Sequence, residues 1–414
     1  MGFGTRSAAF SNRMNDAVNA LSGKKLAIIL AMGFGLSACQ SSGLNGATEG
    51  LSSTNNTQQI TLSPDPKGEV FGQGQTRITL LVPKTAPGNA ASIANEIRNG
   101  ALLALQDFGQ NTIQLVIKDT KGQAADAQGA TSEAVAEGST AIVGPLFSSS
   151  VSAASGIAVP AGRTMIAFSN DVSVARRGVY LLSYTQQADT IRMMNYALSL
   201  GKRNIHAFLS NNVIGGLQET VLRQLSGGAG ANINITKYEL SGPGIETAVR
   251  EAAVAITAAD AIYIPEGGQI PGAILSGLKR AGVELANKQV LGSGQWESVK
   301  FDKPELEGAL YTGRDITNFN AFASRYQTTY NTQPGVFAAL GYDSITLVSS
   351  LISSKGATGA FQPTAIEDRR GFAGINGIFR FKADGTAERG LAVYKVTGGA
   401  GRPVSPAPTS FSGS

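Results

Sequence analysis

Short apolar runs alternate with segments of helical periodicity over most of the chain. Residues 77–83 and 112–119 are apolar runs of strand length, and apolar residues recur along one stripe of the intervening segment 93–108. The same alternation continues through apolar runs at 140–144, 164–168, 205–209, 233–240, 261–264 and 289–292. Strands that alternate with helices form parallel sheets, so the pattern predicts an α/β protein with two largely parallel sheets. Ligands of such sheets bind beyond the carboxyl ends of the strands.

The last part of the pattern predicts a β-hairpin. Apolar runs at 377–381 and 391–396 flank residues 382–386, which contain Asp384-Gly385. Asp-Gly between apolar runs is a strong hairpin signal, because the tight turn needs residues that tolerate positive φ. We therefore expect the two runs to pair around this turn.

Two polar segments flank the predicted fold. Residues 40–75 are rich in Ser, Gly, Asn, Thr and Gln, and residues 398–414 are rich in Gly, Pro and Ser. Neither segment has enough apolar surface to offset the entropy lost on ordering. We predict a flexible tether over 39–75, a folded domain over 76–397 and a disordered tail over 398–414.

The amino-terminal segment has the organisation of a signal peptide. Lys24-Lys25 precedes the apolar run 26–36, which is too short to span a bilayer, since a span needs about 20 apolar residues. Leu36-Ser37-Ala38-Cys39 resembles the lipobox of bacterial lipoproteins. This resemblance implies that residues 1–38 are removed and that Cys39 carries the lipid, so the membrane is reached through that anchor only. Gln40 after the cysteine favours the outer membrane by the usual sorting rule, and translation starts at Met1 or Met14.

Composition excludes several function classes. The formal net charge is +5, but residues 1–38 carry a net +3, so the rest of the chain carries only +2. This is too little positive charge to indicate binding to a nucleic acid. One cysteine and one histidine allow neither an intrachain disulfide nor a multi-histidine metal site, and we expect no metal and no cofactor. His206 lies in a predicted strand without a nucleophile elbow, which favours a structural role over a catalytic one.

A family resemblance rests on three features: the order of elements, Gly144-Pro145 before a serine run, and the closing Phe-x-Phe-x-x-Asp-Gly hairpin. They resemble the type 1 periplasmic-binding fold, and more narrowly its leucine-binding-protein domain. The resemblance implies two doubly wound parallel-sheet lobes joined by a three-strand hinge, with a ligand between them. The expected segments are lobe 1 at about 76–184 and 317–377, lobe 2 at about 186–313 and 380–397, and crossings near 183–187, 312–317 and 377–381.

The resemblance also implies ligand-binding residues in lobe 1. Ser148 and Ser149 follow a strand and precede a helical stretch, where free backbone amides and the helix dipole suit an anion. Serines at this place also cap helices, so both roles stay open. Ser169 and Asp171 end the next strand at the same edge, and Asp171 either holds an ammonium group or caps the following turn.

Lobe 2 departs from the amino-acid receptors of the family. Those receptors commonly place a tyrosine where this chain has Ile214, and a second where it has Pro265-Glu266-Gly267-Gly268. Their acidic ligand residue corresponds to the segment that contains Gln295, which is uncharged. A zwitterion bound there would lose its main counter-charge in lobe 2, which weakens the interpretation as an ordinary amino-acid receptor. Gln295 is the expected ligand-facing residue of lobe 2.

Residues 97–101, 142–147 and 167–171 resemble segments of penicillin-binding protein activators, lipoproteins that use this fold to stimulate peptidoglycan synthesis. The resemblance implies a noncatalytic, periplasm-facing lipoprotein that contacts a peptidoglycan synthase ectodomain. The alternative is the solute-binding receptor of an ABC transporter for amino acids or other small polar ligands, with an ABC permease as partner. We expect no enzyme activity and no catalytic residue, since scattered carboxylates such as Glu297 are typical of protein surfaces.

Overall fold

Two sheets and a small hairpin organise the part of the chain that the structure describes. A computed structural model describes residues 65–228 and 230–411, all of which belong to the unit Gln59–Ser414. The predicted signal peptide, Cys39 and most of the predicted tether lie outside these residues.

The strands are β1 Glu69–Phe71, β2 Thr76–Val82, β3 Ile113–Asp119, β4 Ala141–Val143, β5 Thr164–Ala167, β6 Val179–Leu181, β7 Asn204–Ser210, β8 Asn232–Tyr238, β9 Ala261–Tyr263, β10 Gln289–Gly292, β11 Leu310–Gly313, β12 Phe379–Phe381, β13 Ala387–Arg389, β14 Ala392–Thr397 and β15 Ala400–Ser405. The α-helices are α1 Ala90–Ala104, α2 Ala124–Ala136, α3 Ser148–Ala158, α4 Gln186–Ser199, α5 Val213–Gly228, α6 Gly242–Ile256, α7 Ile270–Arg280, α8 Phe319–Tyr330, α9 Val336–Gly359 and α10 Pro363–Ile366.

Lobe 1 is built on a six-stranded sheet of order β1-β3-β2-β4-β5-β6. Strands β2 to β6 pair in parallel, and β1 adds an antiparallel edge. All seven residues of β2 are buried, as expected for a central parallel strand covered by helices on both faces. The main core of this lobe joins the sheet to α1, α8 and α9.

Lobe 2 is built on a seven-stranded sheet of order β15-β14-β11-β10-β9-β7-β8. Strands β7 to β11 pair in parallel, whereas β14 and β15 form an antiparallel edge. One core lies between this sheet and α6 and α7, and the other between the sheet and α4 and α5. The two doubly wound, largely parallel sheets confirm the predicted fold class.

Three chain segments connect the lobes. The first crossing, residues 182–185, joins β6 to α4, and the second, residues 314–318, joins β11 to α8. The third, residues 390–391, joins β13 to β14. The second crossing and the first lie close to where the family resemblance put them, but the third does not.

The hairpin partner and the third crossing differ from the prediction. The Asp384-Gly385 turn forms, with Gly385 at φ 83°, but Phe379 pairs with Arg389 and Phe381 with Ala387. A tight turn pairs the residues next to it, so the run 391–396 is left to join β11 instead. Because Phe379, Phe381 and Ala387 are part of the lobe 1 core, residues 380–389 belong to lobe 1 rather than lobe 2.

Parts of both predicted polar segments form strands. Residues 69–71, predicted as tether, add a strand to the open edge of β3, and Phe71 packs against the lobe 1 core. Residues 400–405, predicted as tail, pair with β14. Gly398 and Gly399 both have positive φ, 59° and 75°, and form the two-residue loop of this hairpin. These glycines contributed to the prediction of a flexible tail, but in the structure they form a turn.

Helix α9 lies in the lobe 1 core. Within the described ranges it is the one helix long and apolar enough to cross a membrane, and 72% of its most apolar window is buried inside the protein. It packs closely on α1, because a side chain at Gly100 would meet the Ala338 carbonyl oxygen at 1.9 Å and one at Gly341 would meet the Ile97 carbonyl oxygen at 2.1 Å. Its apolar composition is therefore that of a core helix.

Candidate ligand-binding site

A cavity of about 320 Å³ lies between the lobes, beside the hinge. Its walls come from the first crossing, α4, the turn after β10, the second crossing and the first residue of α9. We call it the interlobe cavity. Liquid water occupies about 30 Å³ per molecule, so this space holds about ten waters or one ligand of amino-acid size. Its polar lining residues are Tyr184, Gln186, Asp189, Gln295, Glu297 and Arg314.

Asp189 is the most deeply buried carboxylate of the cavity wall. It lies in the first turn of α4 and is 8% exposed. Its Oδ1 accepts hydrogen bonds from the Gly294 amide (3.1 Å) and the Thr312 hydroxyl (2.8 Å), which ties α4 to the turn after β10 and to the end of β11. Burial nevertheless raises the pKa of Asp189 to about 6. Sequence reasoning missed this residue, because an acidic residue in a first helical turn is ordinary.

Arg314, the first residue of the second crossing, forms an ion pair with Glu297 in the turn after β10. Arg314 donates to both carboxylate oxygens of Glu297, from Nε at 3.0 and 3.2 Å and from the terminal nitrogen at 2.6 Å. The Arg314 guanidinium also lies 5.7 Å from the ring centre of Phe319. The lobe 2 side of the cavity therefore does contain a carboxylate, two residues beyond the uncharged Gln295, and this carboxylate already has a cationic partner.

Gln295, predicted to face the ligand, does line the interlobe cavity. Its Nε2 donates to Oε1 of Gln186 at 3.3 Å, which connects the turn after β10 to α4. The turn itself is held by Ser293, whose hydroxyl donates to the Pro265 carbonyl and accepts from the Gln295 amide at 3.1 Å. Trp296 is fully buried behind it and donates to the Ile264 carbonyl at 2.8 Å, so it packs in lobe 2 and does not line the cavity.

The lobe 1 candidates lie together, but outside the interlobe cavity lining. Helix α3 begins at Ser148, with Phe147 at the N-cap position and no side-chain cap. The serines therefore form the first turn and leave its amides free, instead of capping it. Ser148 is half-buried and Ser149 is exposed.

Asp171 and Ser169 are engaged in a local turn. The Oδ1 of Asp171 accepts from the amide (3.0 Å) and the hydroxyl (2.7 Å) of Ser173, as a capping residue does. These hydrogen bonds, with a further one from Ser148, lower the pKa of Asp171. Ser169 is buried, and its hydroxyl accepts from the Asp171 amide at 3.1 Å.

The two lobe 2 positions that lack the family tyrosines differ from each other in exposure. Ile214 lies in the first turn of α5 and is 41% exposed, next to Val213 at 81%. Glu266 is 8% exposed, and its Oε1 accepts from the Ser210 amide at 3.1 Å. Gly267 passes so close to the turn after β10 that a Cβ there would be 2.3 Å from the Gln295 carbonyl oxygen.

Residues considered for catalysis have structural partners. His206 is 2% exposed in β7, and its Nε2 bonds the Thr236 hydroxyl at 2.9 Å. Burial lowers the pKa of His206 to about 4, so the ring is neutral at pH 7. Within residues 65–228 and 230–411, no three His, Cys, Asp or Glu side chains are close enough together to hold a metal ion.

Comparison with solved structures finds the same fold. A Burkholderia xenovorans protein described as the periplasmic ligand-binding protein of a branched-chain amino acid ABC transporter is similar with a TM-score of 0.64 and 15% identity, over 82% of this chain and 97% of that one. A substrate-binding protein from Desulfitobacterium hafniense in complex with Leu reaches 0.58 at 17% identity, over 80% and 99%. A leucine-binding protein from Thermotoga maritima reaches 0.55 at 19% identity, over 79% and 97%. At these identities the likeness shows the fold alone.

Comparison with known sequences identifies the family. No curated protein has a significant sequence match to the chain. The family model described as periplasmic binding protein matches residues 75–401, which is most of the chain and nearly all of its two lobes. The chain belongs to the periplasmic binding protein family.

Proposed function

We propose that the protein is a noncatalytic, lipid-anchored receptor that binds a small zwitterionic or neutral polar solute, such as an amino acid, in the interlobe cavity. The observation that carries the proposal is the Arg314–Glu297 pair, which lines a cavity of about 320 Å³. The proposed partner is an ABC permease that receives the solute.

The charges of the cavity favour this class of ligand. The cavity is lined by two carboxylates, Asp189 and Glu297, and by one guanidinium, that of Arg314, and burial raises the pKa of Asp189 to about 6. The lining is therefore neutral to slightly negative near neutral pH, which disfavours anions. A zwitterion adds no net charge, and it can place its carboxylate on Arg314 and its ammonium group on Glu297. Tyr184, Gln186 and Gln295 supply further hydrogen-bonding groups on the same wall.

The test is a thermal-shift screen of the standard amino acids, followed by calorimetry on residues 40–414. We expect at least one amino acid to raise the melting temperature, and Glu297→Gln to weaken its binding at least tenfold. Glu305→Gln is the matched control, because Glu305 pairs with Lys279 in the same lobe and does not line the cavity. Absence of any stabilising amino acid or other small polar solute would rule out the proposal, as would unchanged affinity in Glu297→Gln.

The lipid anchor on Cys39 is part of the proposal, whereas the outer-membrane location that Gln40 favours belongs with the second candidate function below. About 30 residues separate Cys39 from β1, which begins at Glu69, and their composition predicts a tether. A flexible chain of that length spans about 30 Å on average. Labelling with radioactive palmitate tests the anchor: Cys39→Ala should abolish incorporation, and label retained in that variant would contradict it.

A second candidate function is stimulation of a peptidoglycan synthase. It is favoured by apolar side chains at the carboxyl edge of the lobe 2 sheet, where the amino-acid receptors place a tyrosine. Val213 is 81% exposed, Ile214 41% and Leu240 55%, and the Asn211 amide group donates to Glu239 at 2.6 Å to join the two loops. Exposed apolar surface of this kind suits contact with another protein.

Pulldown with synthase ectodomains tests this second candidate. Val213→Glu should reduce capture of a synthase at least tenfold. Val254→Glu is the matched control, because Val254 is also 81% exposed but lies on α6. Absence of capture by the unaltered chain, or equal capture by both variants, would contradict this function.

A further inference from the structure

The C-terminal segment links the two lobes once more, after the three crossings. Ala407 still packs in a lobe 2 core, whereas Phe411 is buried against lobe 1. The guanidinium of Arg380, in β12, lies 4.5 Å from the Phe411 ring centre. A side chain at Gly371 would meet the same ring at 2.8 Å. We call residues 406–411 the C-terminal strap.

The strap covers a second cavity, of about 750 Å³, whose other walls are α4 and the β12–β13 hairpin. The first crossing and the start of α4 run between this second cavity and the interlobe cavity. Tyr184 and Gln186 line the interlobe cavity, whereas Thr185 and Gln187 line the second one. Leu391 borders both. Because Tyr184 and Thr185 are neighbours in the extended first crossing, their side chains point to opposite sides, so the second cavity lies on the other side of the hinge segment, and we call it the reverse cavity.

Much of the reverse cavity wall is apolar. Ile191 on α4, Leu391 in the third crossing, and Pro406, Pro408 and Phe411 of the strap all contribute to it. Ile191 is 42% exposed, so apolar surface remains for a ligand to cover. The volume falls within the range of about 300–1,000 Å³ that is typical of small-molecule sites.

Arg389 supplies a buried cation with unused hydrogen-bond donors. It lines the reverse cavity and is 6% exposed. Its Nε donates to the Ser183 carbonyl at 2.8 Å, and its guanidinium lies 4.0 Å from the ring centre of Tyr184. Both terminal nitrogens are buried, and no described residue accepts a hydrogen bond from them. Arg389 is close enough to the buried carboxylate of Asp343 to lower its pKa against the larger effect of burial, but no hydrogen bond joins the two side chains. Buried donors of a charged group are costly to leave unpaired, so these nitrogens indicate a ligand acceptor.

The other charged groups of the wall leave an excess of positive charge. Arg192 and Lys382 line the cavity with Arg389, against the single lining carboxylate of Glu388, and Lys382 also pairs with Asp384 at 3.3 Å. Glu388 is already paired with Arg380 at 2.8 Å. Arg192 donates to a backbone carbonyl and a serine hydroxyl, and to no carboxylate among the residues that the structure describes. The wall therefore complements an anion.

We propose that the reverse cavity binds an amphiphilic carboxylate, with its hydrocarbon part on Ile191 and the strap and its carboxylate on the terminal nitrogens of Arg389. The site is independent of the solute site in the interlobe cavity. Because Leu391 and the first crossing border both cavities, an occupant of the reverse cavity contacts the segments that must rotate when the lobes move.

Calorimetric titration of residues 40–414 with sodium octanoate tests the proposal. We expect octanoate to bind at least tenfold more tightly than octan-1-ol, which has the same chain and no charge. Ile191→Glu should weaken octanoate binding at least tenfold, because it places a carboxylate in the apolar wall. Val254→Glu is the control, since it adds the same charge at an exposed residue that lines neither cavity. Circular dichroism checks that each variant is folded.

Two further variants locate the octanoate. Arg389→Met should remove the preference for octanoate over octan-1-ol, whereas Gln295→Ala, in the interlobe cavity, should leave octanoate affinity unchanged. Equal binding of octanoate and octan-1-ol, or unchanged affinity in Ile191→Glu, would overturn the proposal. Loss of binding in Gln295→Ala alone would place octanoate in the interlobe cavity and overturn it too. These outcomes do not depend on whether an amino acid binds the interlobe cavity.

Discussion

Replacement of Asp189 by asparagine should change how the stability of lobe 2 depends on pH. The carboxylate is buried, and both of its hydrogen bonds, from Gly294 and Thr312, end on Oδ1. Asparagine can keep an acceptor oxygen at this place, so the substitution removes the titratable charge and preserves both contacts. The effect of ionisation is thereby separated from the effect of lost hydrogen bonds.

The magnitude follows from the raised pKa. Burial raises the pKa of Asp189 from 3.8 to about 6, so the folded protein binds this proton more tightly than the unfolded chain does. The free energy of unfolding therefore falls as the pH rises between these two values, and it levels off above about 6. A difference of about two pH units corresponds to about 3 kcal/mol. The Asp189→Asn variant should lack this loss, and its advantage over the parent should grow from near zero at pH 3.8 to about 3 kcal/mol at pH 7.

Urea unfolding at a series of pH values between 4 and 8 measures this difference. Trp296, the only tryptophan, is buried in the same turn as Gly294, so its fluorescence reports on the unfolding of lobe 2. Asp343, whose pKa burial raises to about 7, titrates in both proteins and cancels in the difference. Asp302→Asn, at an exposed carboxylate of the same lobe, is the control. A stability difference between parent and Asp189→Asn that is the same at every pH would refute the reasoning.

Three further predictions concern packing and charge elsewhere. Burial lowers the pKa of His206 from 6.5 to about 4, so stability should fall by about 3 kcal/mol as the pH drops through this window, and His206→Asn should lack that fall in urea titrations. Gly292→Ala should cost about 1–3 kcal/mol in thermal unfolding, because the new Cβ would lie 2.3 Å from the Trp296 ring, and unchanged stability would contradict this packing. Phe411→Ala should cost about 3 kcal/mol and increase the radius of gyration in solution scattering if the strap restrains the lobes, whereas an unchanged radius would argue against that restraint.

Local pattern predicted the elements well, because each depends mainly on its own residues. The apolar run 205–209 became β7, the stripe along 93–108 became α1 and the turn that follows it, and Asp384-Gly385 formed its turn. Hydrophobic period and turn chemistry are properties of short segments, and they act before distant parts of the chain meet. The parallel α/β class followed from the order of these segments.

Pairing between distant segments was less predictable. The run 391–396 was expected beside 377–381, yet it lies between β11 and β15. Residues 400–405 were expected to be disordered, but the open edge of β14 was available to them. Composition alone cannot show that an edge strand will pair with another segment, because the hydrogen bonds between strands come from the backbone. The side chains of the added strand therefore need not follow a hydrophobic pattern that could be recognised in the sequence.

The sequence by itself therefore determined the α/β class and the order of its strands and helices, whereas the role of Gln295 in ligand binding stays a prediction. Only the tertiary structure decided that Asp189 lies buried in the cavity wall, that Glu297 pairs with Arg314, and that the C-terminal strap returns to lobe 1. Each of these depends on groups that are separated along the chain and meet only in the folded structure. Burial raises the pKa of a carboxylate and makes an unpaired guanidinium costly. It is a property of the folded structure and of no single segment.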